Sequence, residues 1–371
     1  LIVHCPVSKF RTSAESFPLT CPLTGAPLEF TEFLDFDPNR IDPALPGQWR
    51  YRPWLQPYDQ TDSFITLGEG WTPLLQGRWG ARDVLWKLDS NMPTGSYKDR
   101  GVSVMVNWFR HYGFQTVMDD SSGNAGASLA CYAARAALHA RIFVPAAAPE
   151  PKKSQISIYG AELVEVEGPR SLVAAAAAAA LSHEVGYASH AAHPAFLLGQ
   201  MSVAWEIWEQ LGGRAPAWLA GPAGNGGLML GAWRGFELLA RSGLIAALPK
   251  LLVVQAQGFD PLHKAFEGDY QTVTPIPSPP APSVADGISI VDPARGQSLL
   301  TAIYQSMGFA ASVNDDAILS AQREMAGLGF FVEPTSAAVC AALTRHMDML
   351  ADGDDIVVIL SGTGLKNPPL V

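Results

Sequence analysis

From about Leu67 onward the chain alternates short apolar runs with helical ones, and that alternation leaves few folds open. Residues 84–88, 116–118, 140–144 and 162–166 read as strands. Residues 101–112, 124–137, 153–159 and 171–185 read as helices, with Gly113 and Gly160 closing two of them. A second series follows: helix 196–211, strand 218–220, helix 228–239, strand 251–255, helices 295–307, 315–327 and 335–350, and a last strand 356–360. Strands separated by helices are joined by crossovers and so lie parallel. The expectation is α/β, two doubly wound domains around parallel sheets, spanning 61–195 and 196–371. The seven alanines at 174–180 fit close helix–sheet packing. Residues 1–60, rich in proline, aromatics and acids with little periodicity, read as an irregular N-terminal arm. The proline-rich run 274–282 cannot be regular structure; it is a loop, a lid or a stiff connection.

Composition excludes several classes of function. With 371 residues, 48% of them hydrophobic and 16% charged, the chain can build two full cores. A net charge of −10, with no basic stripe, argues against a nucleic-acid partner. No apolar run reaches membrane-spanning length, and the start shows no charged leader region, so a cytoplasmic protein without a membrane partner is expected. The chain opens at Leu1 without Met, which raises an expectation of residues before it. The four cysteines are too few for a disulfide scaffold. Cys5-Pro6-Val7-Ser8 and Cys21-Pro22-Leu23-Thr24 look like two C-x-x-C knuckles whose second cysteine is replaced. They are either a metal knuckle without its metal or two unrelated buried cysteines. Two thiolates cannot close a tetrahedral zinc site, so no metal is expected.

Four segments carry chemistry. The first is Asn91-Met92-Pro93-Thr94-Gly95-Ser96-Tyr97-Lys98-Asp99-Arg100-Gly101. Lys98, between a Pro/Gly turn and an apolar helix, is placed to lose water; a desolvated amine is a nucleophile able to form an imine. Taken alone, it reads more readily as a surface lysine ahead of an Asp99–Arg100 ion pair. The second is Ser121-Ser122-Gly123-Asn124-Ala125, after a strand and opening a helix, where backbone N–H groups suit a carboxylate. A plain N-cap with glycine turns is the alternative. The third is Gly221-Pro222-Ala223-Gly224-Asn225-Gly226-Gly227, a strand–loop–helix cradle for a phosphate. It is neither the dinucleotide fingerprint nor a P-loop. The fourth is Ser361-Gly362-Thr363-Gly364-Leu365-Lys366 after the last strand, where small hydroxyls face a ligand crevice. Glu333, ahead of Pro334, either supports that wall or is an ordinary helix-start acid. An imine-forming lysine, an anion-binding helix start, a phosphate loop and a hydroxyl wall are together the parts of a pyridoxal phosphate pocket.

With Gly68-Glu69-Gly70-Trp71-Thr72-Pro73-Leu74, Tyr159-Gly160-Ala161 and Glu333-Pro334-Thr335-Ser336-Ala337-Ala338 added, the chain resembles threonine synthase-like enzymes of the tryptophan synthase β-subunit (fold type II) family. The resemblance implies pyridoxal 5′-phosphate as cofactor, an amino acid as substrate and a homodimer. It implies that Lys98 is the Schiff-base lysine and later moves protons at the substrate carbons. It assigns the cofactor's 3′ oxygen to Asn124, its phosphate to Gly224, Asn225, Gly226 and Gly227, and its ring nitrogen to Ser361. The substrate falls to Ser122, Asn124, Ala125 and Thr72. The implied reaction is O-phosphohomoserine to threonine plus phosphate, by elimination and replacement.

Some positions depart from that pattern. Ala125 stands where relatives often carry Thr, Thr363 where threonine synthases often have His, and the 288–292 run lacks an arginine. Lys152, Lys153 and Arg100 are the remaining candidates for a substrate phosphate. A β-eliminase or β-replacement enzyme acting on another amino acid (serine, threonine, diaminopropionate or phosphoserine) is the alternative, and a non-catalytic homologue ranks behind it.

Overall fold

The computed structural model describes residues 1–366 other than 17, 32, 59–62, 169, 270 and 279–280. Part of the proline-rich run 274–282 therefore lies outside the described residues, and its reading as a lid goes no further.

The arm is more regular than its sequence suggests. Strands β1 (Ile2–His4), β2 (Arg11–Ser13) and β3 (Glu29–Phe30) form an antiparallel sheet in the order β2-β1-β3. Strands of two or three residues are too short to show a period of two, which is why they read as irregular. The two C-x-x-C-like turns flank this sheet. Burial pushes the Cys21 thiol up, but bonds from Thr24, Ser8, the Leu23 backbone and Cys5 outweigh it and bring it down to about 6. Behind the sheet, the arm reaches the body through aromatic side chains and a short helix α1 (Arg52–Leu55). Phe36 stacks on Trp54 at 4.2 Å between centroids and lies 5.4 Å from Trp205.

The body follows in chain order as β4 (Leu74–Trp79), β5 (Arg82–Lys87), α2 (Lys98–His111), β6 (Thr116–Asp119), α3 (Asn124–Arg135), β7 (His139–Pro145), α4 (Glu150–Ser157), β8 (Glu162–Val166), α5 (Arg170–Ala179), β9 (Val185–Tyr187) and α6 (Pro194–Gln210). Then come β10 (Trp218–Pro222), α7 (Gly227–Arg241), β11 (Lys250–Ala256), α8 (Pro261–Glu267), α9 (Gly296–Gln305), β12 (Phe309–Val313), α10 (Asp315–Gly327), α11 (Pro334–His346) and β13 (Ile356–Ile359). Four strands form one parallel sheet, β8-β7-β6-β9, and six form another, β12-β11-β10-β13-β5-β4, parallel except for the antiparallel β4. Strands β10 and β13 are buried along their whole length, as parallel strands covered on both faces must be.

The architecture is the α/β arrangement read from the sequence, with three corrections. The hairpin β4–β5 lies in the six-stranded sheet, with Leu85 opposite Val357 of β13, so the division at 61–195 does not follow the sheets. Pairing between distant segments leaves no local mark in the sequence. The helix expected over 171–185 stops at Ala179, and Val185–Tyr187 adds an edge strand beside β6. Phe309–Val313, unassigned from sequence, pairs in parallel with β11. Among the described residues no helix is long and apolar enough to cross a membrane.

Helix α6 is the axis of the molecule, buried from Pro194 to Trp208 and packed on α2 and α7. Gly199 permits this, since a Cβ there would lie 2.2 Å from the Arg100 carbonyl oxygen. Under the start of α2 lies a fully buried ion cluster. The Arg100 guanidinium forks onto Asp89 (2.7 and 2.8 Å) and onto Glu206 (2.6 and 2.8 Å), and Lys87 Nζ meets Glu206 at 2.8 Å. Glu206 also accepts from the Trp71 amide at 2.6 Å. The cluster ties together the 71–72 segment, β5, α2 and α6, and so fixes where α2 begins.

Candidate active site

The turn before α2 is stitched to the end of β13. The Tyr97 amide donates to Ser361 O at 2.9 Å, and the Thr363 amide to Gly95 O at 2.9 Å. Gly95 takes φ +77, a left-handed conformation that favours glycine. Two segments from opposite ends of the chain thus form one wall, with Lys98 as the first residue of α2. Its half-buried amine sits 2.8 Å from the Tyr97 hydroxyl and 5.6 Å from the Phe196 ring centroid. Among the described residues no carboxylate pairs with it. Asp99 does not pair with Arg100 as the sequence suggested. It is buried and accepts from the Thr94 amide (2.7 Å), the Thr94 hydroxyl (2.6 Å) and the Ser128 hydroxyl (2.6 Å). Burial raises its carboxyl to about 6.

Lys98 opens onto a cleft of about 180 Å³ between the two sheets' loops. On one side are Ser122, Asn124 and Ala125 at the start of α3. On the other are Gly224 and Asn225, in the loop between β10 and α7. Among the described residues, the amides of Ser122, Asn124 and Ala125 and those of residues 224–227 donate to no protein acceptor. Two helix starts therefore present unpaired N–H groups to the same space, each with the positive end of a helix dipole behind it. Gly226 caps α7 at φ +88. A larger cavity of about 880 Å³ lies between the arm and helices α6 and α7. None of these groups lines it, so the chemistry belongs to the smaller cleft.

Glu333 forms the far wall. Its carboxyl accepts from Asn124 Nδ2 at 3.0 Å and from the Ser361 hydroxyl at 3.3 Å. Burial raises its proton affinity against those two bonds and the nearby Lys366 ammonium. Lys366 donates to Asn124 Oδ1 at 2.9 Å, and burial lowers its own proton affinity. Ser361 itself is fully buried behind Glu333, 3.0 Å from the Ser336 hydroxyl, so Glu333 is the side chain that lines the cleft at that wall. Gly362 makes room for it: a Cβ there would lie 2.3 Å from the Glu333 carboxyl carbon.

Of the residues read from sequence, Lys98, Ser122, Asn124, Ala125, Gly224 and Asn225 line one cleft, with Gly226 and Gly227 completing the second loop. Thr72 does not join them. It is buried in the ion cluster, its hydroxyl donating to Asp89 at 2.8 Å, which corrects its assignment to the substrate. Arg100 is spent in the same cluster, and Lys153 on Glu150 and Glu165, so neither is free for a substrate phosphate. Lys152 does line the cleft, ion-paired with Asp286 across it. Lys366 and Asp286 carry no role in the sequence analysis. Lys366 closes the run Ser361–Lys366, and its place just after a ligand-facing strand end is the one signal that marks it.

This arrangement can hold a small dianion at one helix start, a carboxylate at the other and a carbonyl carbon at Lys98, and so fits pyridoxal phosphate with an amino acid. The family described as pyridoxal-phosphate dependent enzyme matches residues 65–362. The threonine synthase of Methanocaldococcus jannaschii is 34% identical over 331 residues, covering 87% of this chain and 81% of its own. That of Methanosarcina acetivorans is 33% identical over 347 residues, covering 91% and 84%. That of Synechocystis sp. is 34% identical over 334 residues, covering 86% and 84%. Among solved structures, threonine deaminase isoform 2 of Solanum lycopersicum is similar with a TM-score of 0.68 at 19% identity, over 90% of this chain and 93% of that one; the likeness shows the fold alone.

Proposed function

The chain belongs to the pyridoxal-phosphate dependent enzyme family as a threonine synthase-like lyase, and from that membership we propose that it converts O-phosphohomoserine and water to threonine and phosphate. The observation that carries the proposal is the convergence of the Lys98 amine with two sets of unpaired backbone amides on one cleft. Bound pyridoxal phosphate supplies an electron sink for negative charge developing at the substrate carbons. The amides of residues 224–227 would hold the cofactor phosphate at the start of α7. Lys98 would hold the cofactor through its amine and would hold and move a proton at the substrate carbons. Ser122, Asn124 and the Ala125 amide receive the substrate carboxylate. Asn124, held by Glu333 and Lys366, would meet the cofactor's phenolic oxygen, and Ser361 would act on its ring nitrogen through Glu333. Lys152 is the cation at the distal end, exchanging Asp286 for the substrate phosphate.

A second reading has its own support. Asp286 beside Lys152 puts negative charge where a substrate phosphate would sit, and Ala125 offers no hydroxyl. Both features suit β-elimination or β-replacement on an amino acid without a distal phosphate. The purified enzyme, supplied with cofactor, distinguishes the two. Phosphate release from O-phosphohomoserine supports the first, whereas ammonia or 2-oxo acid release from serine or threonine alone replaces it with the second. Lys98→Ala is expected to lower either rate by at least about 10³-fold and to remove the near-visible band of the bound cofactor. Full activity in that variant would end both readings. The proposal includes a homodimer in the cytoplasm. The resemblance supports the dimer, and four free cysteines support the compartment. Light scattering at about twice 39.6 kDa tests the dimer.

A further inference from the structure

Behind the 224–227 loop lies a cation that does not line the cleft. Arg295, at the start of α9, is 2% exposed. Its backbone amide donates to Asn225 O at 3.1 Å, and the Ala294 amide donates to Asn225 Oδ1 at 3.4 Å. The loop is thus held from behind by its acceptors, while its own N–H groups stay unpaired. Gly226 packs on the same residue: a Cβ there would lie 3.5 Å from Arg295 Cβ. The guanidinium reaches on to the segment before α6, where Nη2 donates to Ala192 O at 3.0 Å and to His193 O at 3.4 Å.

This side chain is poorly matched to its surroundings. Among the described residues its Nε and Nη1 have no protein partner, and no carboxylate pairs with it. Glu29, the acid whose charge bears on it, is held by Arg234 at 2.8 Å. Burial brings the guanidinium down to about 10, with Glu29 opposing the fall and Arg234 adding to it, so the group stays charged at neutral pH. Burial and Arg295 together hold the neighbouring His193 at about 3, so that ring is neutral and its Nδ1 accepts from the Ala195 amide. A buried cation without a carboxylate costs the fold stability, and in a low-dielectric interior its field extends beyond contact distance. The anion-binding feature next to it is the loop that its own amide holds.

We propose that Arg295 is a positioning residue for the cofactor phosphate. It grips the loop through Asn225 and sets a positive charge behind it, so that a bound phosphate dianion and the guanidinium would stabilise each other. The inference rests on the reading that residues 224–227 take the phosphate. A clamp that served only the fold would act alike with and without an anion.

The full-length chain, freed of cofactor, is titrated with pyridoxal phosphate and with pyridoxal, the same aldehyde without the phosphate, by the near-visible band. Arg295→Met should bind pyridoxal phosphate at least about tenfold more weakly but pyridoxal within about threefold of the parent. Arg295→Lys, which keeps the charge, should recover most of the loss. Circular dichroism checks that each variant folds. The proposal is overturned if Arg295→Met binds pyridoxal phosphate as the parent does, weakens for both aldehydes alike or does not fold, or if Arg295→Lys binds as weakly as Arg295→Met. Gly226→Ala separates this failure from that of the underlying reading. If it too leaves the preference for the phosphate-bearing aldehyde unchanged, the loop is not the phosphate site; if it lowers that preference while Arg295→Met does not, only the role of Arg295 falls.

Discussion

Replacing Arg100 with Met would expose how much the molecule depends on the buried ion cluster one turn from Lys98. The side chain is wholly buried, and its guanidinium is forked onto both Asp89 and Glu206, leaving Lys87 as the cluster's other cation. Met fills much of the volume but leaves two buried carboxylates facing one ammonium. Removing one partner of a buried pair costs about 3–5 kcal/mol. The charge balance at Glu206 points the same way. Burial raises the Glu206 carboxyl, but Arg100 and Lys87 outweigh it and hold the group at about 2 instead of its ordinary 4.5. That depression corresponds to about 3 kcal/mol of stability. This stability is fully present above pH 4.5 and is lost as pH falls toward 2. Without Arg100 the largest opposing charge is gone, so burial moves the carboxyl up from that depressed position and acid should relieve the buried charge. Urea unfolding followed by tryptophan fluorescence at pH 7 and pH 5.5 measures both effects. The variant is expected to lose about 3–5 kcal/mol at neutral pH and to recover part of it at the lower pH. A loss below about 1 kcal/mol, or a deficit that grows toward acid, would refute the reasoning.

Two further substitutions probe the cleft. Gly226→Ala forces a left-handed backbone on alanine at φ +88, so about 1–2 kcal/mol of strain should fall on the phosphate loop. Pyridoxal phosphate should then bind about tenfold more weakly by absorbance titration, whereas unchanged affinity would separate this loop from the phosphate. Lys152→Ala removes an ion pair with Asp286 that is largely solvent-facing, so stability should move by less than about 1 kcal/mol. If Lys152 meets the substrate phosphate, KM for O-phosphohomoserine should rise about 10- to 100-fold with a smaller change in kcat, and an unaltered KM removes that role.

The readable parts of the fold were those governed by local rules. β8 falls at the residues read from its apolar run, and α3 starts at Asn124 because a glycine turn must precede it. β9 escaped notice because the alanine run before it has helix propensity that masks the helix end. β12 escaped because five residues between two helices are too few to show a period. The site divides in the same way. Lys98 and the two glycine-rich helix starts announce themselves by sequence, since backbone amides need no particular partner. Arg100 and Thr72 are assigned to the substrate, Glu333 keeps two readings and Lys366 has no role at the level of sequence, because each takes its role from residues elsewhere along the chain. Arg100 reads as a candidate for the substrate from sequence, whereas in the fold Asp89 and Glu206 enclose it.

The Glu333 wall offers a sharper test than Ser361 alone. Ionised, the Glu333 carboxyl accepts from both Asn124 and Ser361. Burial raises its proton affinity, so it takes up a proton at higher pH than a free carboxyl does. It then has a hydrogen to give, and Ser361 Oγ is the neighbour that can receive it. The Ser361 hydrogen must turn to the Ser336 oxygen 3.0 Å away, and that of Ser336 to the Gly362 carbonyl at 3.3 Å. One proton at the wall thus reverses a chain of hydroxyl bonds beneath it. Glu333→Gln fixes the second arrangement at every pH, with its amide nitrogen donating to Ser361 and its oxygen accepting from Asn124. The acid limb that Glu333 contributes to the activity–pH profile should therefore vanish in that variant. Ser361→Ala should act in the opposite manner. It removes a bond that holds the Glu333 carboxyl down, so the limb should persist and move to higher pH. A Glu333→Gln profile that keeps the parent's acid limb, or a Ser361→Ala limb displaced toward acid, would show that this carboxyl does not govern the wall.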